Sequence, residues 1–229
     1  MIEKGYGATV KGKLHKENKM PNQDYYLIDN HMEYTLVVVC DGLGSKKYSH
    51  HASKKLSKII KKEVRERYKK HNLNPIEMVS SIQKTYLKKL WPYKLDNADT
   101  TCLFSLISNK NILLFQLGDG INAISINDKI ILADKVEKDF TNETRAFGKS
   151  NRNDWKIKVI NKEENSKYKL LLCTDGISED LIEDNLSEFI NNLNLHLDKK
   201  YKKNRCLFDL INNWPNKYSK DDKTIVVVK

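Results

Sequence analysis

The sequence predicts an α+β fold in which two antiparallel β-sheets pack together under a cover of helices. Three observations predict it. Apolar runs of strand length recur along the 229-residue chain, separated by turn-forming residues. Two long amphipathic stretches sit as a pair between the second and third of these runs. Most runs follow one another at hairpin distance instead of alternating with helices, which argues against a parallel doubly wound sheet.

The elements follow in order. Tyr25–Ile28 and Tyr34–Cys40 read as strands, rich in aromatic and β-branched residues. Ser49 to about Tyr68 reads as a helix, because Ala52, Leu56, Ile59, Ile60, Val64 and Tyr68 recur at helical spacing with Lys and Arg opposite. Pro75 to Leu90 is a second helix: Pro75 suits the first turn, and Val79, Ile82, Tyr86 and Leu90 form its apolar stripe. Cys102–Ile107, Ile112–Leu117, Asn122–Ile126 and Lys129–Ala133 form a meander. Its turns fall at Ser108–Asn111, Gly118–Gly120 and Asn127-Asp128. Trp155–Ile160 and Tyr168–Thr174 are further strands, Glu179–Leu193 and Cys206–Trp214 read as helices, and Thr224–Val228 closes the chain as a strand. Residues 1–229 are expected to form one domain.

Composition narrows the function. With 39 % hydrophobic residues the chain can build a core. It contains no apolar stretch of the roughly 18 residues that a membrane span needs. The N-terminal MIEKGYGATVKGKLHKEN has no apolar segment of the signal-peptide type, so a cytoplasmic location is expected. Cys40, Cys102, Cys173 and Cys206 form no C-x-x-C pair and read as small thiols in a reducing compartment. The net charge of +11 is carried largely by Lys on helix-like stretches. It reads as a solvated basic surface, and nucleic acid is not an expected partner: no nucleic-acid motif or interleaved aromatics accompany the charge.

The chemistry lies in the acids. Leu36–Cys40 stops on Asp41-Gly42, Leu113–Gly118 stops on Asp119-Gly120, and Leu170–Thr174 stops on Asp175-Gly176. Asp221-Asp222 precedes the final apolar run, and Asp24 precedes the first strand. Strands that deliver carboxylates at their ends assemble an oxygen-ligand site for Mg²⁺ or Mn²⁺. Each Asp-Gly alone reads equally well as a tight turn, and Asp119-Gly120 in particular as a two-residue hairpin. Glycine after the acid also lets the backbone approach closely.

These residues resemble the metal-dependent protein phosphatases, the PPM or type 2C family. Asn22-Gln23-Asp24 resembles the opening N-[EQ]-D, and Cys40-Asp41-Gly42-Leu43-Gly44 resembles A-D-G-M-G. Asp99-Thr100-Thr101 resembles G-[ST]-T, Leu117-Gly118-Asp119 resembles V-G-D, and Arg145-Ala146-Phe147-Gly148 resembles R-A-L-G. Cys173-Thr174-Asp175-Gly176-Ile177 resembles the second D-G motif, and Asp221-Asp222-Lys223-Thr224 resembles D-[DN]-x-T. Each motif is weak alone, but seven in family order, from Asn22 to Val228, are specific.

The resemblance implies a four-layer αββα sandwich. It also implies hydrolysis of phosphoserine and phosphothreonine esters by a water or hydroxide bridging two Mn²⁺ or Mg²⁺ ions. Asp41 would bridge both metals and Gly42 would contribute its carbonyl. Asp24 would bind one metal through waters, and Asp175 and Asp221 would hold the other. Asp119 and Glu179 occupy the positions of a third, weaker metal, with Glu179 longer than the usual Asp.

Two features depart from the family pattern. Lys19 stands where the family commonly has a phosphate-binding Arg, and it keeps the charge without the bidentate fork. His15 resembles a His found before the metal motif in a bacterial subgroup lacking that Arg, where phosphate contact or protonation of the leaving group is its expected role. About 25 to 30 residues separate the V-G-D-like and R-A-L-G-like motifs, which leaves room only for a short recognition flap. His50 and His51, at the start of the first helix, read either as neighbours of the site or as solvated helix-start residues.

The expected partner is a phosphorylated protein, with a cognate Ser/Thr kinase as functional counterpart, and a monomer is expected. The alternative is a weak or inactive phosphatase-fold module that recognises a phosphoprotein without hydrolysing it.

Overall fold

Strand Tyr34–Cys40 shows how the sequence builds the layers. Leu36 to Cys40 are all fully buried. Because side chains alternate across a strand, the run serves two cores at once. Leu36, Val38 and Cys40 join one hydrophobic cluster, whereas Val37 and Val39 join another. A continuous apolar run is therefore a strand covered on both faces.

The computed structural model describes residues 4–134, 145–163, 167–215 and 219–229. In chain order the elements are β1 (Gly5–Val10), α1 (Lys13–Glu17), β2 (Tyr25–Asn30), β3 (Tyr34–Cys40), α2 (Ser49–Lys69) and α3 (Pro75–Lys89). Then come β4 (Cys102–Ser108), β5 (Asn111–Leu117), β6 (Ile121–Ile126), β7 (Lys129–Leu132), β8 (Lys156–Asn161) and β9 (Tyr168–Cys173). A short α4 (Asp175–Ser178), α5 (Leu186–Asp198), α6 (Lys203–Asn212) and β10 (Lys223–Val228) complete the chain. One sheet has the order β1-β10-β9-β6-β7 and the other β2-β3-β4-β5-β8. Every strand pairing within them is antiparallel.

Val37, Val39, Leu114, Leu170, Leu172 and Val226 fill the space between the sheets. Leu56, Ile60, Ile82 and Tyr86 carry α2 and α3 against the outer face of one sheet. Ile190, Leu193, Leu207 and Ile211 carry α5 and α6 against the other. The result is the four-layer αββα sandwich that the sequence predicts. Among the described residues, no helix is long and apolar enough to cross a membrane.

The structure corrects several element predictions. The meander is broken at its centre: β5 pairs with β4 and β8, while β6 pairs with β7 and β9. Gly118-Asp119-Gly120 is thus a crossover between the sheets and not a hairpin. Its two glycines take φ of +91° and +109°, which side-chain-bearing residues rarely adopt. The helix predicted over Glu179–Leu193 starts at Leu186, after a 3-10 turn at Glu183–Asn185. The preceding Ile182 is extended, with φ −100° and ψ 130°, and it interrupts the helical path. Strand β1 and helix α1 were not predicted. Residues 135–144, on which much of the short-flap expectation falls, lie outside the described residues.

Candidate active site

Antiparallel register brings the acids together. Tyr25 pairs with Cys40, so Asp24 before β2 lies beside Asp41 after β3. Ile225 pairs with Cys173, so Asp175 after β9 lies beside Asp221 and Asp222 before β10. Val10 pairs with Lys223, which carries the Gly12–His15 segment to the same edge. Close packing of backbone holds this edge: a Cβ on Gly176 would lie 2.0 Å from the Asp222 carbonyl oxygen. Here glycine is required by space.

Asp41 sits at the centre. Its N–H donates to Thr101 Oγ1 at 3.0 Å, and its carbonyl accepts from Thr100 Oγ1 at 2.7 Å and Thr101 N at 2.8 Å. The carboxyl group lies within hydrogen-bonding reach of those of Asp24 and Asp175. Asp24 Oδ2 accepts from Thr224 Oγ1 at 2.7 Å and Thr174 Oγ1 at 2.9 Å. Among the described residues, the buried Asp24 Oδ1 and Asp175 Oδ1 find no hydrogen-bond donor. Asp221 Oδ1 accepts from the Asp222 N–H at 2.7 Å. Gly42 is buried behind Asp41, its N–H donating to the Gln23 carbonyl at 3.2 Å.

Electrostatics mark the cluster as short of positive charge. Burial, followed by the charge of Asp222, raises the Asp24 carboxyl well above its ordinary range. Burial also raises Asp41, with Asp24, Asp175 and Asp221 adding repulsion. Asp175 is pushed up to about 6 by burial and then by Asp221. Glu179 and Asp119 are both exposed, yet both add to the repulsion on Asp175, so they flank the cluster on its solvent side. Burial and neighbouring acids raise Glu179 as well, partly offset by a hydrogen bond with Ser219.

A cavity of about 590 Å³ opens over Asp41, Gly42, Thr101, Asp175 and Asp221. Its other wall includes Lys46, Arg145 and Lys149. Asp99 anchors that wall: its Oδ1 accepts from Thr100 N and Gly148 N, both at 2.9 Å. A larger cavity of about 980 Å³ between α5 and α6 is mostly apolar and touches none of the clustered acids.

The remaining candidates separate clearly. His15 is buried with Nδ1 2.7 Å from Asp222 Oδ2 and 3.8 Å from Asp221 Oδ1. It stands behind the acids and not on the cavity wall. Lys19 is exposed on a left-handed turn, with φ +54°, and does not line the cavity. His51 stacks on Tyr93 at 4.8 Å, and neither His50 nor His51 lines the cavity.

Asp222 escaped the sequence reading as a functional residue. Its carboxylate also accepts from Gly12 N at 2.7 Å and Gln23 N at 2.6 Å. The available signal was alternation: neighbouring acids at the mouth of a strand face opposite ways. Thr174 and Thr224 were missed as donors to Asp24, although each sits next to an acidic motif. Lys46 and Lys149 were missed because one Lys among many carries no pattern.

Comparison with known proteins places the chain. The family model for protein phosphatase 2C matches residues 11–209. The chain belongs to that family. No curated protein matches the sequence. A bacterial serine phosphatase superposes with a TM-score of 0.67 at 20 % identity, over 99 % of this chain and 97 % of that one. The catalytic domain of the serine threonine protein phosphatase PstP, in complex with two manganese ions, gives 0.65 at 16 % identity over 100 % and 98 %. PppA, a regulatory component of T6SS in Pseudomonas aeruginosa, gives 0.71 at 13 % identity over 100 % and 98 %. At these identities the likeness is one of fold.

Proposed function

We propose that the protein is a metal-dependent phosphatase acting on phosphoserine and phosphothreonine esters. The observation that carries this reading is the convergence of Asp24, Asp41, Asp175 and Asp221 at one edge, with buried oxygens of Asp24 and Asp175 that find no donor among the described residues. A donor set of hard carboxylate oxygens suits Mn²⁺ or Mg²⁺, and cations there would relieve the repulsion that raises three of the acids. Asp41, Asp175, Asp221 and the Gly42 carbonyl would hold two ions, with Asp24 acting from behind. Glu179 and Asp119 would hold a third. When bound, such ions neutralise the phosphoryl oxygens and acidify water into a nucleophile.

The chain's own groups do the rest. Thr174 and Thr224 fix Asp24 through one oxygen and leave the other directed at the cluster. Thr100 and Thr101 fix the backbone on both sides of the Asp41 side chain. Lys46, Arg145 and Lys149 give the cavity a positive wall for a phosphate dianion. We read His15 as a positioning residue: buried on Asp222 and beside Asp221, it sets the orientation of that pair. Its burial away from the cavity does not suit a proton donor to the leaving group.

The test is hydrolysis of p-nitrophenyl phosphate and a phosphothreonine peptide with Mn²⁺, with Mg²⁺ and with chelator. Turnover should require metal and fall by a factor on the order of 10³ in Asp41→Asn, with the fold retained by circular dichroism. A folded, Mn²⁺-binding protein that hydrolyses neither ester would overturn the reading and favour a phosphoprotein-binding module.

A further inference from the structure

We propose that the groove between α2 and α3 docks an acidic segment of the phosphoprotein substrate, several residues away from the phosphorylated side chain. This rests on the phosphatase reading for its substrate, but the groove is a separate site. It encloses about 720 Å³ and shares no residue with the acid-lined cavity. Ile59 and Thr85 lie among Lys55, Lys58, Lys62, Lys88 and Lys89 in its lining, and the indole of Trp91, 80 % exposed, stands at one end.

The charges of the groove are unbalanced in a definite way. Its two acids are already matched: Glu63 accepts from Arg67 at 2.7 Å, and Glu66 lies 3.5 Å from Lys62. Lys55 spends its ammonium on the end of α3, donating to the Lys89 carbonyl at 2.5 Å. Among the described residues, no carboxylate pairs with Lys58, Lys88 or Lys89, and all three are exposed. Three free ammonium groups beside an exposed indole fit a peptide with a few Asp or Glu and one apolar or aromatic residue. A nucleic acid fits less well, because its unbroken run of phosphates would cross Glu63 and Glu66.

The groove is tied to the active site through one loop. Residues 91–98 follow α3, with Trp91 at the groove. On the other side of this loop the Leu95 carbonyl accepts from Lys46 Nζ at 2.7 Å, and the Asn97 carbonyl accepts from Tyr48 N at 2.9 Å. Lys46 lines the catalytic cavity. Helix α2 itself begins eight residues after Asp41. From its start to Lys58 the helix rises about 13 Å. An extended peptide covers that distance with about four residues. The acidic segment therefore starts about four residues or more from the phosphorylated one.

Two phosphothreonine peptides test this, identical near the phosphate and differing at that distance by an acidic or a Ser/Gly segment, placed on either side. At low salt the acidic peptide should show a kcat/KM about five- to tenfold higher, through KM, and lose the advantage as salt rises. The triple variant K58A/K88A/K89A keeps helix-forming residues on an exposed face. It should abolish that advantage and leave hydrolysis of the neutral peptide and p-nitrophenyl phosphate unchanged. Equal kcat/KM for the two peptides, or an equal loss on p-nitrophenyl phosphate, would overturn the proposal. So would a single-stranded oligonucleotide of matched charge that displaces a labelled acidic peptide better than the unlabelled peptide does. Fluorescence anisotropy of the unphosphorylated acidic peptide separates the two readings. Binding that needs these lysines in a protein without turnover supports the groove and removes the phosphatase.

Discussion

Asp24 and Asp29 stand at the two ends of β2, and each is only 6 % exposed. Asp29 receives Arg65 Nε and Nη2 at 2.7 Å each, Lys61 Nζ at 3.2 Å and the Tyr34 hydroxyl at 3.3 Å. Burial alone would raise its carboxyl, but Arg65 and Lys61 outweigh burial and hold it below the ordinary range. Asp24 receives two hydroxyls and, among the described residues, no cation; it faces other acids and is raised. One strand thus carries a buried carboxylate that the protein compensates itself and another that it leaves short. The first arrangement builds structure. The second leaves a repulsion that a cation from outside would relieve.

The largest expected effect of this contrast is on binding at the uncompensated end. Mn²⁺ at 100- to 1000-fold above its Kd should stabilise the fold by about 3–4 kcal/mol, seen as a rise of several degrees in Tm by calorimetry. Asp175→Asn should lose most of that rise, whereas Asp29→Asn should keep it. Equal metal stabilisation in wild type and Asp175→Asn would remove Asp175 from the site.

Much of this contrast was legible in the sequence and part was not. Asp41 and Asp175 were legible because each follows a run too apolar to be anything but a strand buried on both faces, and Gly then allows a close approach. Strand β1 was illegible because Gly5 and Gly7 take positions where strand-forming side chains would normally be read. In the fold those positions have no room: a Cβ on Gly7 would meet the Tyr26 ring at 2.8 Å. The crossover at Gly118–Gly120 was misread because local sequence cannot tell whether two neighbouring strands pair or part. Lys19 and His15 could not be ranked from spacing. In the fold His15 goes inward onto Asp222, whereas Lys19 stays in solvent.

The next effect in size concerns pH. In the metal-free protein, Asp175 titrates near 6 in place of its ordinary value of 3.8, so the folded state holds its proton more tightly than the unfolded chain. Between pH 4 and 6 the unfolded state binds fewer protons, and stability falls as pH rises, by an amount on the order of 2 kcal/mol. Asp175→Asn should flatten this limb and make the metal-free protein more stable than wild type at pH 7. Urea midpoints at pH 4.5 and 7 measure it. A metal-free wild type that is more stable at pH 7 than the variant would show that the cluster is compensated internally.

The smallest effect belongs to the compensated end and has the opposite sign. Because the folded Asp29 carboxyl lies below its ordinary value, its contribution is present above pH 3.8 and is lost as pH falls through the folded value. Arg65→Ala removes the bidentate partner but leaves Lys61 at 3.2 Å, so the charge is weakened and not orphaned. Arg65 is itself half exposed, with 49 % of its side chain in solvent, and screening reduces the loss to about 1 kcal/mol at pH 7. At a pH low enough to protonate Asp29 in both proteins, urea midpoints of variant and wild type should converge. If instead the variant stays less stable by the same margin at low pH, Arg65 acts through packing of its aliphatic stem, and the two ends of β2 differ in geometry more than in charge.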